Sequence, residues 1–453
     1  MVCEDGRMKL MKNLTYGIYL IVFCLPLYLI RFKVFGIPTT VLELMIYALF
    51  IAWAIKNLKS LSLKIKDFNL LFAIVLILVG VSLTTIFSSE LRMSAGIWKA
   101  WFIDPILFFI VLVSVIKNSE QIKKVLFSLF LSGTIVSVIS LIYLILGKLD
   151  PVDRLQAFYN SPNYLAMYLA PVLIIGLGFL MNFYRSDYSH EDTLDAPAWR
   201  LARPRLARSP KATTMLVRLR MVFLASNLRF STFFLFSIFF FLFSIFFTHS
   251  YGAWLGIITA VGFGLVFYLF KLNRKNSAWI IFVLALIIIL FLGYFALTQR
   301  QTSFDARLII WQKAWEVFKA HPIFGIGPGT FGNYFSAYPE LGSALSAPKP
   351  ALSAGVPQPH NIFLAFLLQT GIIGFIGFIW LLCQFFRAGI KNLEHKIENQ
   401  ELRIMNIVLM MIMMYILVHG LVDTTYWKND LSVIFWFVVG LMVVLKIKKL
   451  EFD

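Results

Sequence analysis

The chain has 453 residues, 60% of them apolar and only 14% charged, against roughly 45–50% and 25% in ordinary soluble proteins. That balance excludes a soluble globular enzyme. Long apolar runs such as Ala278 to Leu297 have the roughly 20 residues that cross a bilayer as one helix. The net charge of +18 is not read as nucleic-acid binding, because the charges collect at the ends of the apolar runs, where they report topology.

In chain order, apolar runs at about 14–30, 34–55, 68–87, 98–116, 125–147, 163–183, 231–247, 251–270, 278–297, 361–386, 404–421 and 431–447 predict an all-α, multi-pass protein of about twelve spans. The first run lacks a small-residue cleavage site and is followed at once by the second, so it reads as a retained span. With the N-terminus cytoplasmic, the segments 1–13, 56–67, 117–124, 184–230, 271–277, 387–403 and the tail hold most of the 41 Lys and Arg. This is the positive-inside alternation and puts both termini in the cytoplasm; the turn Arg31-Phe32-Lys33 is its exception. Cys3, Cys24 and Cys383 provide neither a disulfide framework nor a Cys-based zinc site.

The chain reads as a single membrane domain, 1–453, whose run of helices two segments interrupt. The basic cytoplasmic insert 184–230 carries the cationic stretch Ala198 to Arg208, suited to anionic inner-leaflet lipids or to a solvated linker. The second, 298–360, is an exterior or periplasmic loop of a length that is usually functional. Within it Leu308, Trp311, Trp315 and Phe318 recur at 3-4-3 spacing, which predicts a helix lying in the interface plane. Pro322 and the glycines of 325–329 end it.

The candidate chemistry gathers on the exterior side. His360, in Pro357-Gln358-Pro359-His360-Asn361, ends the long loop, with Asn361 placed to cap the next helix. A helix N-terminus disfavours a cation, so the imidazole is suited to accept a proton as a general base; a histidine merely hydrogen-bonded at the interface would occupy the same position. Arg307, Arg300 and Arg154 could grip a diphosphate bidentately or simply snorkel to the interface. His419 and Asp423, four apart, are spaced to share one helix face as an oriented imidazole–carboxylate pair or as two mutually satisfied polar groups. No exterior carboxylate or histidine motif has a recognisable metal-site spacing, so no metal or other cofactor is expected.

Several segments together resemble the O-antigen ligase and polymerase family of bacterial membrane glycosyltransferases. They are Pro359-His360-Asn361-Ile362-Phe363-Leu364 running into Gln369-Thr370-Gly371-Ile372-Ile373-Gly374-Phe375, then Arg307-Leu308-Ile309-Ile310-Trp311, His321 to Phe331, His419-Gly420-Leu421-Val422-Asp423 and Lys428-Asn429-Asp430. Arg154 with Asn160-Ser161-Pro162-Asn163 is similar to the family's Arg and Asn-Pro-Asn segment, so the resemblance runs from about 154 to 440.

The resemblance implies an inverting, metal-independent transfer of glycan on the outer face of the cytoplasmic (inner) membrane. The donor would be an undecaprenyl-diphosphate-linked glycan, and the acceptor a lipid-anchored core, a protein or another glycan. It implies His360 as the base and Arg307, with Arg154 and Arg300 after it, as diphosphate contacts; Asn361, His419, Asp423 and Tyr251 are read as supporting residues. One departure stands out: where the family commonly has Ser-Arg-Gly, this chain has Ser250-Tyr251-Gly252.

Ligase and polymerase share these motifs and differ in acceptor; the histidine loop favours the ligase. A twelve-helix secondary transporter is the rival class and would use Glu43 and Asp104, which lie inside apolar runs. No repeat relates the two halves, and the 56–67 loop lacks the Gly-Asp-Arg pattern of major-facilitator transporters.

Overall fold

A computed structural model describes residues 2–57, 68–194, 231–271, 274–299, 301–336, 358–394 and 400–449. The chain is a bundle of helices: α1 Val2–Phe23, α2 Val41–Asn57, α3 Phe68–Ile86, α4 Leu91–Trp98, α5 Asp104–Val115, α6 Ser119–Ile145 and α7 Pro162–Leu194 form its first part. The second comprises α8 Ser231–Phe247, then α9 Tyr251–Lys271, α10 Lys275–Gln299, α11 Gln301–Ala320, α12 Phe331–Ser336, α13 Ile362–Glu394, α14 Gln400–His419 and α15 Asn429–Lys449. Among the described residues eight helices are long and apolar enough to cross a membrane, and three shorter apolar ones accompany them. The protein is thus a polytopic membrane protein, with the full span length reached in eight places where the sequence suggested about twelve.

Two boundaries differ from the expected ones. The run read as 34–55 becomes helical only at Val41, because Arg31–Val34 (β1) and Ile37–Thr40 (β2) pair as an antiparallel hairpin. Phe35 and Gly36 at its tip both take positive φ, 50° and 80°, the type I′ geometry that matches strand twist in a two-residue connection. Among the described residues the architecture is helical apart from this hairpin. The run read as 98–116 begins earlier: α4 continues through a π-helical turn, Lys99–Ile103, into α5, so one continuous stretch, Leu91–Val115, spans.

Helix α15 runs through the centre. It is apolar on every side, and 94% of its spanning window is buried, the pattern of a helix surrounded by others. Trp436 on it meets Phe109 of α5 edge-on, ring centroids 5.4 Å apart. By contrast α10 leaves Trp279, Ile280, Phe282, Leu286, Ile287 and Phe291 exposed, as a helix facing lipid does.

The feature that positions the site is a break in α13. Gly371 has φ 64° and ψ −179°, a region essentially restricted to glycine. The carbonyls freed there find other donors: Leu368 O accepts Ile326 N at 2.8 Å, and Gln369 O accepts Thr84 Oγ1 at 2.9 Å. In return Ile372 N donates to Ile323 O. The turn 321–330 is thereby stitched to the half-helix 362–370, at a place where a Cβ on Gly325 would meet Leu368 O and one on Gly371 would meet Ile323 O. Below the break α13 lies against α3 at backbone contact, Gly80 facing Gly374 and Gly377 facing Ile77, the small-residue packing that membrane helices favour. Gly371→Ala is expected to lower stability by about 1–3 kcal/mol, read as a lower melting temperature of the detergent-solubilised protein, although alanine has the better helix propensity.

Helix α11 forms where the 3-4-3 spacing predicts one. Ile310, Ala314 and Val317 are buried with Ile326, Phe331 and Leu368, flanked by Trp311 and Phe318, while Leu308 and Trp315 are exposed. One apolar side is held by protein and the other is exposed.

The connections sort onto two ends of the bundle. At one, Leu155 N donates to Phe247 O, Asn163 reaches Asp423, Ser94 reaches Pro328 O and Lys99 reaches Pro38 O. At the other, Lys123 pairs with Glu401. Of the insert 184–230, residues 184–194 continue α7, and the rest, with its cationic stretch, lies outside the described residues, as do 337–357 of the long loop.

Candidate functional site

The site is built at the end where the half-helix 362–370 starts. Asn361 caps it: Oδ1 accepts Phe363 N at 2.9 Å and Leu364 N at 3.0 Å, satisfying two of the donors every helix start leaves open. Its Nδ2 donates to Leu421 O at 2.9 Å, and Ile362 N donates to Gly420 O at 2.7 Å. The loop between α14 and α15 is thus sewn to the start of α13.

His360, just before the cap, has φ 46°, a left-handed conformation uncommon for a residue with a side chain, though histidine adopts it more readily than most. Its Nδ1 lies 3.1 Å from Asp423 Oδ1. A carboxylate only accepts, so Nδ1 carries the hydrogen and the neutral ring presents Nε2 as a bare acceptor. The His360 side chain is 35% exposed against 5% for Asp423, so the imidazole is reachable and the carboxylate is not. Trp311 of α11 adds a long bond, 3.4 Å from Nε1 to His360 O.

Asp423 is a well-held anion. Oδ1 also accepts Thr424 N at 2.8 Å, and Oδ2 accepts Asn163 Nδ2 at 2.6 Å. Burial alone would raise its pKa, but the His360 hydrogen bond and the nearby Arg307 charge outweigh this and hold it well below the usual carboxylate range.

His419 and Asp423 do not form the one-helix pair that their spacing suggested. Helix α14 ends at His419, Gly420 turns the chain, and Asp423 is carried across to His360. His419, buried, instead pairs through Nδ1 with Tyr415 Oη at 2.8 Å, and Tyr415 donates onward to Ala166 O at 3.2 Å. The start of α9 closes in from another side: a Cβ on Gly252 would meet Val422 and the His419 ring. Tyr251, the first residue of that helix, therefore stands beside the same turn.

Arg307 on α11 donates from Nε to Val422 O at 2.9 Å, one residue from Asp423, which brings a permanent positive charge to the pair. Arg154 is placed differently. Its Nε and Nη2 both meet Asp150 Oδ2, at 2.9 and 2.8 Å, so its charge is already matched within its own loop. Arg300 lies outside the described residues. Among the described residues no three His, Cys, Asp or Glu gather in a metal-binding group.

Asn163 is the residue that sequence reasoning left out of the site. The signal was present in Asn160-Ser161-Pro162-Asn163: a proline at a helix start fixes the backbone, and the amide beside it can only be aimed at a partner the sequence does not reveal. Gln369 was missed for the same reason; it accepts Gly329 N at 2.8 Å and donates to Gln358 at 2.7 Å, bracing the approach to His360. Glu43, the carboxylate a transporter would use, is instead bound to Lys99 at 2.6 Å, Thr39 at 2.9 Å and Asn429 at 3.2 Å.

Residues 236–379 match the model of a family described as O-antigen ligase. That stretch covers α9 to α12, His360, Asn361 and the broken part of α13. An uncharacterized protein of Haemophilus influenzae is 27% identical over 183 residues, which is 35% of this chain and 43% of that protein. The chain thus spans less than half the length of that curated relative.

Proposed function

Taking the chain as a member of the O-antigen ligase/polymerase family, which the match over 236–379 supports, we propose that it is a membrane glycosyltransferase acting at the end of the bundle that carries His360. The donor is a polyprenyl-diphosphate-linked glycan, of the undecaprenyl type, and the acceptor a hydroxyl on a lipid-anchored core, a protein or another glycan. The observation that carries this reading is the His360–Asp423 pair at 3.1 Å, half-open on the histidine side, with Arg307 beside it.

The acceptor oxygen bonds to the anomeric carbon as the bond from that carbon to the diphosphate oxygen breaks. The hydroxyl proton passes to His360 Nε2, and the bonding electron pair leaves with the lipid diphosphate. Attack opposite the leaving group inverts the anomeric centre. Asp423 fixes the tautomer and stabilises the imidazolium that forms; Arg307 offsets the charge growing on the diphosphate. Exposed α10 and the outer side of α11 give the lipid tail a bilayer-facing approach. By this reading the site end lies outside the cytoplasmic membrane and both termini inside.

Arg307→Ala is expected to lower kcat/KM for the donor by about 10–150-fold, the equivalent of losing one hydrogen bond to a charged group, roughly 1.5–3 kcal/mol. Arg307→Lys recovers only part, because an ammonium lacks the planar fork. The test is transfer by the purified full chain from an undecaprenyl-diphosphate oligosaccharide to candidate acceptors with chelator present. A single added unit supports the ligase and a ladder of lengths the polymerase. Chelator-sensitive transfer would sink the metal-independent mechanism.

A further inference from the structure

A second group of buried charges lies next to the site. Lys428, in the turn that leads from Asp423 into α15, is 7% exposed, and its Nζ sits 3.4 Å from the centre of the Tyr164 ring, with the rings of Tyr159 and Tyr28 at 5.3 and 5.5 Å. Among the described residues its Nζ has no hydrogen-bond partner, and neither do Tyr28 Oη, Tyr159 Oη and Asp430 Oδ2. This is a costly place for an ammonium. It is desolvated, and it stands at the start of α15, where the helix dipole opposes a cation. What holds it is the face of an aromatic ring, an interaction that gains strength when water is excluded, and the nearby Asp430 carboxylate.

The ring it holds is the informative part. Tyr164 is the neighbour of Asn163 in the first turn of α7, and Asn163 Nδ2 holds Asp423 Oδ2 at 2.6 Å. Lys428 and Asp423 belong to the same short turn, so that turn is attached to the start of α7 twice, once by the lysine over Tyr164 and once by the carboxylate on Asn163. We propose that Lys428 is a positioning residue for the transfer reaction: seated on Tyr164, it fixes the start of α7 so that Asn163 keeps Asp423 against His360. This rests on the reading of His360 as the base.

The test is steady-state transfer by the full chain in lipid nanodiscs. Lys428→Met and Tyr164→Leu are each expected to lower kcat about tenfold with donor and acceptor KM unchanged, as a small misplacement of a catalytic group does. Tyr164→Phe keeps the ring face and is expected to stay within about twofold. In an Asn163→Ala background, Lys428→Met or Tyr164→Leu is expected to add less than about twofold, because all act through one contact chain. Should Lys428→Met fail to fold, the Tyr164 pair and its cycle with Asn163 decide. Equal activity of Tyr164→Leu and Tyr164→Phe, or losses that multiply fully with Asn163→Ala, would overturn the proposal. Full activity of His360→Ala would instead overturn the base on which it rests, a distinct result.

Discussion

His360→Ala is expected to lower the maximal rate of glycan transfer by roughly 10²–10⁴-fold, the range contributed by a positioned general base, while donor affinity stays near wild type. The separation follows from geometry. His360 touches the rest of the site through Asp423 and Trp311, whereas the cation beside it, Arg307, is anchored independently on Val422 O. Alanine retains a Cβ, so the strain of the left-handed backbone at position 360 is unchanged, and the loss reports the imidazole. Single-turnover rates at saturating donor, beside donor binding by the inactive variant, check both halves. A variant that loses donor binding as strongly as rate would give His360 a binding role instead.

Asp423→Asn is expected to approach the same loss, up to roughly 10⁴-fold, the effect of converting the carboxylate of a catalytic His–Asp pair to an amide. The present contacts show why the amide has no good orientation. With its oxygen toward His360 Nδ1, its NH₂ faces the NH₂ of Asn163, which now donates to Oδ2 at 2.6 Å. Flipped, it donates to His360 Nδ1, moves the ring hydrogen to Nε2 and abolishes the acceptor. Stability also depends on this group. Its pKa in the folded chain lies below the ordinary carboxylate value, so the ionised form stabilises the fold. That contribution is complete above the unfolded value of about 3.9 and is lost as pH falls through the folded one. Wild type should therefore lose melting temperature on acidification below about pH 4 more steeply than Asp423→Asn. Parallel curves would contradict the depressed pKa.

How much of this was legible in the sequence depended on range. Local rules placed the helices, the cap at Asn361 and the helix α11, because periodicity and capping act within a few residues. Spacing alone did not show which side of α11 packs on protein, since the buried side includes the small Ala314 while Trp315 is exposed. Local rules paired Asp423 with His419 because four-residue spacing implies a helix, and the helix stops one residue short of Gly420. The true partner, His360, is 63 residues away, and Asn163 is 260 away; no periodicity reports such contacts. The hairpin at 31–40 was missed because it straddles the charged turn 31–33 and the start of an apolar run, and Phe35-Gly36 signals a turn only weakly. The pairing of Arg154 with Asp150, four residues away, was not legible either.

Bond-making chemistry at His360 is tested by measuring released polyprenyl diphosphate and transferred glycan together, in one reaction of purified protein with donor, acceptor and chelator. Wild type is expected to give equal amounts of both, and His360→Ala neither above background. Equal transfer by the two proteins would contradict the assignment of the base, and movement of intact donor across the membrane without diphosphate release would contradict the enzyme.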